Sequence, residues 1–267
     1  MIGVTTAVGA LDKPGLKQWV ADQTAYYAVA NADKLLLKSE EQGFNMLRWY
    51  HTRAKEGDFD NPLIDLHYYH SGVLNDAAEL GTSVHEWVEA YLTGGFPPEL
   101  VRDEQVQMVE AFLEWESQHD VEVVSTEMTV FGQGYGGTLD MIVKIDGETF
   151  LADVKTSRAV QNTHIAQLAA YGAATVALQE VPAGTPDAVS YKDSWWVATS
   201  VPGFSKYGVL QIRPDDYDNQ GKFIPAFCTL HEITQAEIDA GFELYMASQN
   251  ARIAGKALAD AQKGVER

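Results

Sequence analysis

Three charged residues stand where a folding chain ordinarily puts apolar ones. The stretch GGTLDMIVKIDGETFLADVKTS, Gly136 to Ser157, reads as a β-hairpin, yet it carries Asp140 in one arm and Asp153 and Lys155 in the other. Asp146-Gly147 is a strong signal for a two-residue type I′ turn, because both residues tolerate the positive φ that such a turn requires. With that turn, Ile145 faces Glu148, each further pair keeps the same sum of residue numbers, and Asp140 falls opposite Asp153. Directly opposed residues share a sheet face with Cβ atoms ~5 Å apart, where like charges repel. Lys155 lies on the same face, since side chains alternate with period two. Two carboxylates with an ammonium beside them destabilise a bare hairpin, but they suit a hard divalent cation that takes oxygen ligands.

Two helical pairs flank this cluster in sequence. Gln167 and Tyr171 are four residues apart, and so are His85 and Glu89; at that spacing two side chains lie ~40° apart around a helix and point the same way. Taken singly, each feature has an ordinary reading. Aspartates on a hairpin can be solvated, a His/Glu pair can be a surface contact, and a Gln/Tyr pair can be packing. The chemical reading comes from their combination.

The elements that must position these residues follow from periodicity. LDKPGLKQWVADQTAYYAVANADKLLL, NDAAELGTSVHEWVEAYLTGG and RDEQVQMVEAFLEWESQHD carry apolar residues at helical spacing. WYHTRAKEGDFDNPLIDLHYYHSG between the first two has little periodicity and reads as a loop or insertion. VEVVSTEMTVF, the hairpin arms, SWWVATSV, YGVLQIRP and AFCTLHEI are strands by their β-branched and aromatic content. NTHIAQLAAYGAATVALQE reads as a helix, and TQAEIDAGFELYMASQNARIAGKALADAQ as a long closing helix. The order predicts an α/β fold, a mixed β-sheet flanked by helices. It divides into a mainly helical part over residues 1–120, which contributes His85, and a core sheet with its helices over 121–267, together one compact domain.

Composition narrows the function. The 267 residues are 46% hydrophobic and can bury a proper core. No apolar run reaches the ~18 residues of a membrane span, and the N-terminus lacks the pattern of a signal peptide, so a cytoplasmic location with no membrane partner is expected. One cysteine, Cys228, leaves no room for a disulfide framework, a cysteine-rich zinc site or an iron–sulfur cluster within one chain. A net charge of −19, from 38 acidic and 19 basic residues, argues against nonspecific polyanion binding. Contact with DNA would then rely on local cations, for which Lys155, Arg158, Lys192, Lys206, Arg213 and Lys222 are candidates, and on bound metal. Trp195, Trp196, Phe204 and Tyr207 could stack on single-stranded bases or pack in the core. Strand alternation places the two tryptophans on opposite faces.

His85 in GTSVHEWVE, Gly137-x-x-Asp140, Asp153-Val154-Lys155 and Gln167-x-x-x-Tyr171 occur together in an order that resembles the RecB-like branch of the PD-(D/E)xK nucleases. The resemblance spans roughly Gly81 to Gly172, and the opening VTTAVGALDKPGLKQW is similar to the start of phage exonucleases of that branch. It implies a restriction-endonuclease-like core with a helical N-terminal elaboration. Asp140 and Asp153 would hold Mg²⁺ or Mn²⁺, with the Val154 carbonyl as a further ligand and His85 completing the shell. Lys155 would orient the attacking water or stabilise charge on the phosphate. Gln167 and Tyr171 would position the DNA backbone, and Glu127 would be a supporting or additional metal-site carboxylate, or a core-edge residue. The implied activity is that of a metal-dependent DNA exonuclease without an iron–sulfur cluster, acting on free ends in phage recombination, repair or DNA processing. A single-strand annealing or recombination protein is the implied partner. The alternatives are a structure-specific or flap endonuclease on the same fold, and a DNA- or protein-binding module without turnover.

Overall fold

A computed structural model describes residues 1–11, 14–41, 62–218 and 220–265. The chain divides into two compact units, Met1–Leu11 with Gly81–Arg267, and Asp12–Leu80. The second unit is helical. It holds α2 (Pro14–Ala30), α3 (Ala32–Glu41) and the first part of α4 (Pro62–Leu92). Among the described residues Leu35 is its buried apolar residue, packed by Tyr27, Ala28 and Leu66, and the Tyr27 hydroxyl donates to Asp65.

The first unit is built on a sheet. Its elements are β1 (Ile2–Gly3), α1 (Val4–Val8), the end of α4, α5 (Asp103–Glu116), β2 (Val121–Gly132), β3 (Tyr135–Ile145) and β4 (Glu148–Lys155). Then come α6 (Asn162–Gly172), β5 (Val176–Val181), β6 (Val189–Tyr191), β7 (Ser194–Thr199) and β8 (Lys206–Arg213). The unit closes with β9 (Asp216–Tyr217), β10 (Phe223–Ile224), β11 (Phe227–Ile233) and α7 (Gln235–Val265). Nine strands form one sheet in the order β11-β8-β4-β3-β2-β5-β7-β6, with β1 beside β3; β9 and β10 pair separately. The pairing is mostly antiparallel, with β4–β8 and β1–β3 parallel. The fold is therefore mixed α/β with flanking helices.

The sheet serves two cores. Leu139, Ile142, Leu151 and Val209 bury against α1, α6 and α7 through Val4, Leu168, Tyr171 and Tyr245. Met141, Val143, Ala152 and Leu210 meet Phe112 and Trp115 of α5. Both faces of the central strands are thus covered, which is why β3 and β4 read as nearly continuous apolar runs.

Two assignments from periodicity are corrected. Pro62 to Gly72, expected in a loop, lies in α4, while Trp49 to Asn61 fall outside the described residues. The helix expected through Glu180 ends at Gly172, and Val176–Val181 forms β5. That segment mixes alanine with β-branched residues, and pairing with β2 and β7 decides it. Residues 81–120, grouped by sequence with the helical part, belong to the same unit as the sheet.

Candidate metal centre

The hairpin forms in the expected register. Ile145 pairs with Glu148, and the ladder runs to Met141–Ala152. Asp146 and Gly147 have φ of 50° and 87°, as a type I′ turn demands. The next pair would be Asp140–Asp153, but the ladder stops before it. There the Val154 N–H donates to the Asp140 carboxylate at 2.9 Å, and β4 continues alongside β8 with Asp153 opposite Val209. The two strands part where the carboxylates begin.

Asp153 is 1% exposed, and neither of its oxygens accepts a hydrogen bond among the described residues. Lys155 Nζ approaches Oδ2 to 2.6 Å, an ion pair that supplies the nearest balancing charge. Burial pushes the Asp153 carboxyl up to about 6, and the charge of Asp140 adds to the rise. Burial also raises Asp140, against the pull of Lys155. Lys155 is buried too, which opposes its charge, yet Asp153 and Asp140 together leave its pKa raised. The ammonium is therefore kept.

α4 brings the fourth group. Gln105 on α5 is buried; its side chain donates to Ser83 Oγ at 2.6 Å and accepts from the Val101 and Arg102 N–H groups. This fixes the helix two residues before His85. Gly81 lets α4 come close to the chain after Lys155, since a Cβ there would stand 3.0 Å from Thr156 Oγ1. His85 Nε2 bonds the Val154 carbonyl at 2.5 Å and lies 3.6 Å from Asp140 Oδ2. Burial lowers the His85 pKa, which favours the neutral imidazole; its Nε2 donates to the Val154 carbonyl, so that proton has to leave before Nε2 could ligate a metal.

Glu127 joins from β2. Thr126–Met141 and Met128–Leu139 pair on either side of it, so it stands opposite Asp140. Its φ is 44°, a left-handed conformation uncommon for a residue other than glycine inside a strand. One ligand atom each of His85, Glu127 and Asp140 lies within 4.8 Å of the others. Burial and then Glu89 raise the Glu127 pKa. Glu89, the other half of the pair on α4, accepts from the Thr126 hydroxyl at 3.4 Å. Its four-residue spacing from His85 is the sequence signal for it.

On α6, Gln167 Nε2 donates to the Tyr171 hydroxyl at 3.2 Å. Tyr171 is buried and its pKa is raised, by burial first and by Asp153, Asp140 and Glu127 as well. Its ring occupies the space that a side chain at Gly137 would need, which gives the Gly-x-x-Asp spacing a steric reason.

The remaining cations do not make one groove. Lys206 and Arg213 begin and end β8, ~23 Å apart at the rise of a strand. Lys206 pairs with Glu232, and Arg158 and Arg213 both pair with Asp216. Phe204 and Tyr207 pack against the core. Trp195 and Trp196 are half-buried in the arm formed by β5, β7 and β6. Among the described residues no helix is long and apolar enough to cross a membrane.

No family model matches the sequence, and no curated protein matches it. Among solved structures, an alkaline exonuclease, LHK-Exo, from Laribacter hongkongensis is similar at 17% identity over 68% of this chain and 84% of that one, with a TM-score of 0.27. The same exonuclease in complex with dAMP gives 16% identity over 68% and 85%, again with a TM-score of 0.27. Likeness at this level decides neither fold nor activity. The chain's own geometry has to carry the functional reading.

The donors present fit a hard divalent cation. Asp153 is a buried carboxylate without a hydrogen bond, which is costly unless charge balances it. The donor atoms that come together are those of His85, Glu127 and Asp140; Asp153 stands outside that trio, paired with Lys155 and close enough to Asp140 for the two charges to interact.

Proposed function

We propose that this protein is a metal-dependent deoxyribonuclease of the PD-(D/E)xK type that degrades DNA from free ends. The observation that carries the reading is the buried Asp153 carboxylate. It lacks a hydrogen bond and stands among Asp140, Lys155, His85 and the Val154 carbonyl. A structural ion pair needs one cation for one carboxylate; this cluster holds two carboxylates and calls for further positive charge.

Asp140, Asp153, the Val154 carbonyl and His85 would hold Mg²⁺ or Mn²⁺, with Glu127 on the open side. When bound, the ion supplies an activated water and neutralises charge on the phosphate. Lys155 stays an ammonium under two carboxylates, so it acts as a fixed positive charge toward the phosphoryl oxygens rather than as a base. Tyr171 stays a phenol because burial raises its pKa. Gln167 donates to its oxygen, which leaves the Tyr171 proton free to bond a phosphate oxygen.

Action on ends rather than within a closed duplex is the narrower part of the proposal; the net charge of −19, which weakens long-range attraction to duplex DNA, is consistent with it. A role in phage or related recombination and repair, beside a single-strand annealing protein, belongs to the same proposal. The test is incubation of the pure protein with end-labelled linear DNA and closed circular duplex, with Mg²⁺, Mn²⁺ or chelator. Metal-dependent loss of linear DNA with survival of the circle is expected. Nicking of the circle by the wild type but not by Asp153→Ala would make it an endonuclease, and no cleavage of any DNA would remove the nuclease reading.

A further inference from the structure

The chain leaving the metal centre is tied to a small hairpin that packs into neither core. Arg213 Nη1 donates to the Thr156 carbonyl, one residue past Lys155, and its Nη2 donates to Asp216 Oδ2 at 2.9 Å. Arg158 Nη2 donates to the other oxygen of Asp216 at 2.7 Å. Gln211 holds the Ser157 carbonyl at 2.7 Å. Asp216 opens β9, which among the described residues pairs only with β10. The hairpin is therefore clamped to the segment just past Lys155.

Its aromatic residues face water. Tyr217 is 61% exposed and Phe223 49%, and their rings meet edge to face at 5.6 Å. A two-stranded hairpin alone is marginally stable, but this one is held by its acids. Asp218 accepts the Gln220 and Lys222 N–H groups, Asp215 accepts that of Ala226, and Asp216 takes both arginines. Those carboxylates are occupied, and the rings contribute little burial. Two exposed rings, on a hairpin tied through Asp216 to an arginine whose side chain is 68% exposed, match what single-stranded nucleic acid binds: faces for bases and a cation for the backbone. Bases inside a duplex are stacked on one another, so only an unpaired base can reach these rings.

We propose that the β9–β10 hairpin binds the single-stranded portion of the DNA substrate, with unpaired bases on Tyr217 and Phe223 and a backbone phosphate on Arg158. This rests on the nuclease reading for its substrate. The hairpin is the stacking surface in place of Trp195 and Trp196, whose arm is not tied to the segment after Lys155. Asp216 shares Arg158 with the phosphate and keeps its hold on Arg213.

The experiment measures binding of a fluorescein-labelled oligothymidylate by anisotropy, with Ca²⁺ in place of Mg²⁺, beside a blunt duplex. Tyr217→Ala with Phe223→Ala should weaken single-strand binding at least about tenfold and change duplex binding less. Tyr217→Trp with Phe223→Trp should keep it, and Arg158→Ala should lower the slope of log K against log salt by about 0.7. The substituted positions are exposed, and a melting curve of each variant checks that it folds. Unchanged single-strand binding in the double alanine variant overturns the inference, as does loss of binding in the double tryptophan variant. A wild type that cleaves DNA while the hairpin variants bind normally sinks the hairpin alone. A wild type that binds through the hairpin but cleaves nothing sinks the nuclease reading and leaves the hairpin standing.

Discussion

The two ends of the β3–β4 hairpin carry the same residue type in opposite circumstances. At the turn, Asp146 accepts the Asp120 N–H at 2.9 Å and bonds His119 Nδ1 at 2.7 Å, and these bonds, the backbone one foremost, hold its pKa below the ordinary carboxylate range. At the far end, Asp153 is buried without a hydrogen bond, and its pKa rises to about 6. One aspartate is satisfied by the chain and stabilises the fold. The other is sealed from water, at a cost in stability. The same hairpin thus holds one aspartate by hydrogen bonds at its turn and buries another beside a lysine at its far end.

The largest test of that contrast is catalytic. Asp153→Ala, Asp140→Ala and Lys155→Ala should each lower cleavage by about 10²–10³-fold or more, read as release of label from linear DNA. Asp146→Asn should leave the rate within about twofold of wild type, as for a change at the surface. An active Asp153→Ala protein would erase the distinction between the ends.

Next comes metal. Mg²⁺ or Mn²⁺ at ~100 times its Kd should raise the Tm by about 5–10 °C, because it binds only the folded state. The gain should shrink in Asp140→Ala and His85→Ala and persist in Asp146→Asn. A full response in His85→Ala, followed by thermal shift, would return His85 to a structural role.

Then pH separates the ends by sign, in chelated protein. Asp153 is raised from 3.8 to about 6, so the stability that comes from its neutral form is complete below about 4 and lost as pH rises through 6. Asp153→Asn should therefore melt above wild type at pH 7 and lose that advantage on acidification. Asp146 is depressed, so its contribution is present above the ordinary value of 3.8 and lost as pH falls through its lowered one. Asp146→Asn should melt below wild type at pH 7 and match it in acid. Parallel pH profiles of the two variants would contradict the contrast.

The smallest effect belongs to the turn. Gly147 has φ of 87° with open space around it, so Gly147→Ala costs only backbone strain, about 1–2 kcal/mol, measured by denaturant unfolding. Cleavage should be unchanged.

Some of this was legible without coordinates. Asp146-Gly147 set the hairpin register, because the turn type and the two-residue period leave one pairing. Gln167 and Tyr171 met as their helical spacing required. Less legible was the helix over Pro62 to Gly72, where aromatic and polar residues hid the periodicity. β5 was read as the tail of α6, since alanine-rich sequence favours a helix until a neighbouring strand offers hydrogen bonds. Glu127 was a possibility among others, and nothing in VEVVSTEMTVF foretold its positive φ.

Sequence alone determined what is local: the turn, the side of each strand on which a residue falls, and the turn of helix that joins two side chains. Those follow from backbone geometry, which each short segment carries with it. Tertiary structure decided that the ladder would stop at Met141–Ala152, that His85 would reach the Val154 carbonyl from α4, and that Asp153 would be sealed from water. Burial and distance between remote segments depend on how all the elements pack together. A charge in a strand becomes a perturbed charge in a site only when that packing removes its solvent.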